Sequence, residues 1–198
     1  MLKTSLYANK KLRLSSLIIT LIFVCFCPEK AFAFRPGLSL SYGTGKPDHL
    51  EGYRVALQDF WPFVGFPESA LNLTGYWDLS LAHWTNNPPL ANQPRHISIV
   101  AVSPVIRLQT QKYCFLYAQP YLELGIGASL LSNNHFGHRN LGGQFAFQDL
   151  LGIGLSWRKA THIWSLSYHY VHYSNAHLLP PNQGIDVKHL FSLGYEFN

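Results

Sequence analysis

Between Leu71 and Leu81 the odd positions read Leu71, Leu73, Gly75, Trp77, Leu79 and Leu81, and the even ones read Asn72, Thr74, Tyr76, Asp78 and Ser80. A period of two belongs to a β-strand with one apolar and one polar face. The same alternation runs through Tyr53–Leu57, from Cys114 to Leu130, through Phe145–Leu155, and at the C-terminal end, where Phe191, Leu193, Tyr195 and Phe197 alternate with Leu190, Ser192, Gly194 and Glu196. Helical periodicity is hard to find. Turn-rich stretches such as Gly43–Asp48, Asn86–Pro89 and Ser132–Asn134 separate the segments. The pattern predicts eight strands, at about 36–44, 51–62, 70–84, 95–109, 112–131, 143–158, 161–175 and 187–197. The weakest is 95–109, where Ile97, Ile99, Val100, Val102, Val105 and Ile106 fall on both faces.

A soluble sandwich or a lipocalin-like barrel would alternate too. Two features favour a membrane. Aromatics lie on the apolar stripe near strand ends (Trp61, Trp157, Tyr195, Phe197), as interfacial girdles require. The opposite stripe carries Arg54, Asp78, Glu123 and Glu196, too polar for the core of a small soluble fold. The expected fold is therefore all-β, an eight-stranded antiparallel transmembrane β-barrel of the outer membrane. A barrel of eight strands fills its interior with its own side chains, so a diffusion pore is not expected and function falls to the outer face or the loops.

The first 33 residues read differently. Lys3, Lys10, Lys11 and Arg13 precede an apolar run from Leu14 to Cys27, and Ala31-Phe32-Ala33 follows as a small-x-small site. This is the layout of a secretory signal peptide, and the run is shorter than the ~20 residues of a spanning helix. Residues 1–33 are thus expected to be removed and 34–198 to form the barrel. Without the leader, ten basic residues face nine acids, a net charge near +1. The remaining basic residues are scattered, so no nucleic-acid partner is expected. Cys114 stands alone in the mature chain, which excludes an intrachain disulfide.

The candidate chemistry sits at one strand end. In 161–175 the even residues Trp164, Leu166, Tyr168, Tyr170, His172 and Ser174 form the lipid-facing stripe, and Ser165, Ser167 and His169 belong inside. With both termini periplasmic this strand runs outward, placing His172 and Ser174 toward the outer leaflet, before a last loop at 176–187. Both could simply rest at headgroup level. The alternation, an acid at Asp186 and the asparagines Asn175 and Asn182 favour a Ser-His-acid hydrolase acting on a lipid ester.

The segments His172-Tyr173-Ser174-Asn175-Ala176 and Pro181-Asn182-Gln183-Gly184-Ile185-Asp186 resemble the active-site region of the outer-membrane lipid A 3-O-deacylases of the PagL type. Gln119–Gly127, Arg139–Leu141 and Gln144–Asp149 extend the resemblance, which is clearest from about residue 117 onward. It implies Ser174 as nucleophile, His172 as general base and Asp186 as the acid, where the family usually has glutamate. Asn175 and Asn182 would supply oxyanion or orienting hydrogen bonds. His177 stands where a small residue such as glycine is expected. The implied reaction hydrolyses the ester-linked 3-hydroxyacyl chain at the 3-position of lipid A, without metal or organic cofactor, in the outer membrane of a Gram-negative bacterium. The implied partners are lipid A of lipopolysaccharide and outer-membrane lipid; a homodimer stays open.

Other constellations carry less. His135/His138 and His169/His172 have metal-site spacing, but the first pair lies in a loop and the second points to opposite strand faces. Asp149 interrupts the apolar stripe of its strand, for which a bulge is the plain explanation and support of the site the sharper one. His96-Ile97-Ser98 repeats the His-x-Ser spacing with no acid before Glu123. The main rival is a non-catalytic surface barrel acting in adhesion, although such barrels project longer loops than 176–187.

Overall fold

A computed structural model describes residues 34–46, 49–62, 64–87 and 93–197. Residues 1–33, expected to be a signal peptide, lie outside the described residues. The barrel strands are β1 (Pro36–Lys46), β2 (Leu50–Phe60), β3 (Leu71–Asn86), β4 (His96–Thr110), β5 (Gln119–Leu131), β8 (Phe145–Lys159), β9 (His162–Ser174) and β10 (Ile185–Glu196). A short hairpin, β6 (His135–Phe136) and β7 (Arg139–Asn140), rises from the loop between β5 and β8. All neighbours pair antiparallel, and β1 pairs with β10 from Gly37↔Glu196 onward, closing the barrel and leaving it without a free edge.

The expected strand ends hold to within two residues except one. The fifth strand begins at Gln119 rather than near 112. The alternation ahead of it belongs to a turn, in which Leu116 and Tyr117 are left-handed (φ 58° and 57°) and the Cys114 amide donates to the Ala118 carbonyl at 2.8 Å.

The faces sort as the alternation requires. Leu57, Leu81, Leu124, Ile153 and Leu166 are exposed on the outside. Inside, Arg54 pairs with Asp78, and Glu123 is held by Arg107 (Nη2–Oε1 2.7 Å), Tyr76 (3.0 Å) and His169 (Nε2 to Oε2 2.8 Å). A buried charge is tolerable only when paired in this way. The void beside Glu123 and His169 is about 10 Å³, at the threshold for a single water. Trp164, Tyr195 and Phe197 form an aromatic cluster at the end where β1 begins and β10 finishes, with centroid separations of 4.6 Å.

The other end is filled differently. Trp84, Ile97, Ile99, Val171, Tyr173, Ile185, Val187 and Leu190 form an apolar plug, each at most 1% exposed. This explains the two-faced β4: Ile97, Ile99 and Val105 face an apolar interior while Val100, Val102 and Ile106 face lipid. Two apolar faces leave no alternation to read.

Candidate active site

Strand β9 presents Tyr170, His172 and Ser174 on the outer face, with Val171 and Tyr173 locked in the plug behind them. On one side His172 pairs across the ladder with Asp186 of β10, and its Nδ1 lies 2.8 Å from Asp186 Oδ1. The carboxylate also accepts the Tyr170 hydroxyl on the same oxygen. With Nδ1–H donating to the carboxylate, Nε2 is left as the basic nitrogen, the tautomer that a general base needs.

Asp186 reaches this face through an irregularity. Strand β10 carries one residue more than β9 between Val187 and Leu190, and one more than β1 between Asp186 and His189. Phe191 points outward at an odd position, so in a regular strand the even Asp186 would point into the barrel. The extra residue resets the phase, and both Asp186 and Phe191 lie outside. The acid is therefore a strand residue directly opposite its histidine, where the sequence placed it in a loop.

On the other side of His172 stands Asp149 of β8. The register from Phe147↔Ser174 to Lys159↔His162 is unbroken, so the bulge expected at Asp149 is absent there. His172 thus lies between two outward-facing carboxylate strands, with Asp186 the one it bonds. Ser174 is half-buried two residues further along the same stripe, about 6–7 Å from His172. Its hydroxyl makes no hydrogen bond to the ring among those of the described residues. Catalytic hydrogen bonds are often long in a free enzyme and tighten with substrate.

The loop from Asn175 to Gly184 is clamped rather than free. Asn175 is 1% exposed, and its side-chain amide donates to the carbonyls of Leu141 and Leu179, both at 2.7 Å. Its backbone N–H donates to Asn182 Oδ1 at 3.1 Å. Both side-chain hydrogens of Asn175 are thereby committed to the loop. The β6–β7 hairpin braces the loop from outside: Arg139 Nη1 donates to the Gln183 carbonyl, and the Asn140 amide to Gln183 Oε1, each at 2.7 Å. Ala176 and His177 are both left-handed, with φ of 52° and 63°. This backbone accounts for the glycine expected at 177.

The second His-x-Ser also proves different in space. Ser98 Oγ lies 2.9 Å from Nδ1 of His83 on β3, its ladder partner, and His96 stacks on His83.

A family model described as "Lipid A 3-O-deacylase (PagL)" matches residues 51–196. The chain belongs to this family. It is 31% identical over 139 residues to the lipid A deacylase PagL of Pseudomonas aeruginosa, covering 70% of this chain and 75% of the relative. It is 30% identical over 185 residues to the lipid A deacylase PagL of Bordetella bronchiseptica, covering 91% and 93%. A solved structure described as the crystal structure of the outer membrane enzyme PagL superimposes with a TM-score of 0.68 at 28% identity, over 81% of this chain and 98% of that one. The protein is accordingly an outer-membrane lipid A 3-O-deacylase, its barrel that of the family.

Tyr170, the β10 bulge and the hairpin brace went unread in the sequence. Tyr170 passes for one more girdle aromatic, and the brace joins residues some forty apart. Only the bulge left a trace: Lys188 and His189 are adjacent polar residues within an otherwise apolar stripe.

Proposed function

We propose that this deacylase cleaves the 3-position ester of lipid A with a Ser-His-acid site on its outer face, turned toward the outer leaflet. The observation that carries the reading is the 2.8 Å bond between His172 and Asp186 on the lipid-facing surface, in the same stripe as Ser174. Ser174 Oγ attacks the ester carbonyl carbon while its proton passes to His172 Nε2. The tetrahedral intermediate collapses, the C–O bond to the sugar breaks, and His172 returns the proton to the sugar oxygen. Water, deprotonated by His172, then cleaves the acyl-serine and releases a 3-hydroxy fatty acid. Asp186 holds the ring orientation and offsets the imidazolium charge.

The developing oxyanion needs N–H donors. The Asn175 amide next to the nucleophile is committed to Asn182, but those of Ala176 and His177, two and three residues after Ser174, have no acceptor among the described residues. An outward-running β9 with an even strand count brings this end to the outer leaflet, where lipid A resides. Mass spectrometry of lipid A from cells expressing the protein tests the reading. Loss of one 3-hydroxyacyl mass, absent with Ser174→Ala, is expected; the same loss with Ser174→Ala overturns the serine mechanism.

A further inference from the structure

The extra residue in β10 does more than reset the phase. It places Lys188 and His189 side by side on the outer face, both exposed, one row from Asp186. The Tyr168 hydroxyl fixes the bulge, donating to the Lys188 carbonyl at 3.2 Å and meeting His189 Nδ1 at 2.7 Å. With that donation made, the phenol oxygen accepts from Nδ1–H, and Nε2 of His189 is left to face outward. Lys46, at the end of β1, pairs across the ladder with Asp186 and is also exposed. A phase reset needs only an extra residue, not a charged one. Yet a lysine on the lipid face is costly below the interface, and Lys188 has no ion-pair partner among the described residues. Glu51, an outward-facing acid of β2, is two strands from His189, with Thr44 between them.

We propose that Lys188 and His189, with Lys46, form a subsite for a phosphate group of the lipid substrate, beside the ester that is cleaved. This rests on the reading given under Proposed function and adds what holds the headgroup. Lipid A is a phosphorylated glucosamine disaccharide, so an anion necessarily travels with the scissile ester. A lysine on a flexible stem suits it: the chain lies along apolar surface while the ammonium rises to the phosphate level. The exposed His189 ring beside it is the second polar group facing the phosphate. Because Tyr168 bonds the backbone of residue 188, the bulge persists when the Lys188 side chain is changed.

The full barrel in mixed micelles is assayed on lipid A and on the same lipid A stripped of phosphate, for wild type and Lys188→Gln. The preference for the phosphorylated substrate, as a ratio of kcat/KM values, should fall about tenfold in Lys188→Gln, mainly through KM. An unchanged ratio overturns the subsite. Native mass spectrometry of the Ser174→Ala barrel with the two lipids keeps this separate from the reaction. Phosphate-dependent binding that Lys188→Gln removes upholds the subsite even if the wild type cleaves neither lipid; equal binding of both lipids overturns it. Millimolar inorganic phosphate should not compete. Competition that abolishes the preference would reassign the patch to free anion and overturn the headgroup assignment.

Discussion

The imidazole of His172 lies against the bare Cα of Gly184. A Cβ built there would stand 3.0 Å from Cε1 and 3.6 Å from Nε2, and Gly184 has φ +51°. The absence of a side chain at 184 therefore leaves the His172 ring, the general base of the proposed site, the room it occupies. Gly184→Ala is expected to push the ring off its line to Ser174 and lower kcat at least tenfold. The left-handed backbone adds a stability cost of about 1–2 kcal/mol. Steady-state kinetics with heat-modifiability on gels, which reports the folded barrel, checks both; wild-type kcat would show that the ring has room to spare.

At His177 the argument reverses. A histidine at φ 63° pays about 1–2 kcal/mol for the left-handed region, while glycine returns about 0.4–1 kcal/mol of that through its more mobile unfolded chain. His177→Gly should therefore stabilise the barrel by roughly 0.5–1 kcal/mol with activity kept. Denaturant unfolding in micelles measures it, and a destabilised variant would show that the His177 ring makes a compensating contact.

How much of this was open to sequence reading depends on whether each face met one environment. Strands β2, β3 and β5 have lipid on one side and the charged network of Arg54, Asp78 and Glu123 on the other, and their alternation is plain. Where the interior turns apolar, as at Ile97 and Ile99, the same physics erases the pattern. His172 and Ser174 could be placed because β9 is regular from Ile163 to Ser174. Asp186 could not, since its direction depends on a single inserted residue two positions away. Asp149, suspected of a bulge, lies in a regular ladder, and the bulge is on the strand two away in the barrel.

A covalent serine-hydrolase probe should label the peptide containing Ser174 alone. Ser98 does have an imidazole on its hydroxyl, but that ring is His83, which stacks on His96 and has no carboxylate bond among the described residues. Without an acid to fix its tautomer, the His83–Ser98 pair lacks what Asp186 gives His172. Peptide mapping decides this; a labelled Ser98 with Ser174 unmodified would move the nucleophile to the β3–β4 side of the barrel.

Asp186 itself should be needed for rate and not for folding. It holds His172 at 2.8 Å and also takes the Tyr170 hydroxyl. Asp186→Ala and Asp186→Asn are expected to lower kcat by about two to four orders of magnitude, the range spanned by losing a triad acid. Asp186→Glu, which restores the residue the family resemblance leads one to expect, should keep measurable turnover. Wild-type turnover in a folded Asp186→Ala barrel would reduce the site to serine and histidine.

The phase of β10 can be tested apart from its chemistry. Deleting His189 removes the extra residue between Val187 and Leu190, so one end of the strand must turn over. The lower end carries Phe191, Leu193 and Tyr195, whose side chains find no room among the charges inside; the upper end is shorter and carries Asp186. The upper end should therefore flip, sending Asp186 toward the apolar plug and Val187 out to lipid. Turnover is expected to drop below about 1% of wild type, in keeping with loss of a triad acid, while the aromatic lower half still closes the barrel. Replacing Lys188 and His189 together by alanine keeps the residue count and the bulge, and should retain turnover at saturating substrate even though headgroup affinity falls. Lipid A mass spectrometry and kcat on the two variants make the comparison. If the deletion variant stays active, or the double alanine variant is as dead as the deletion, then the inserted residue is not what turns Asp186 to His172.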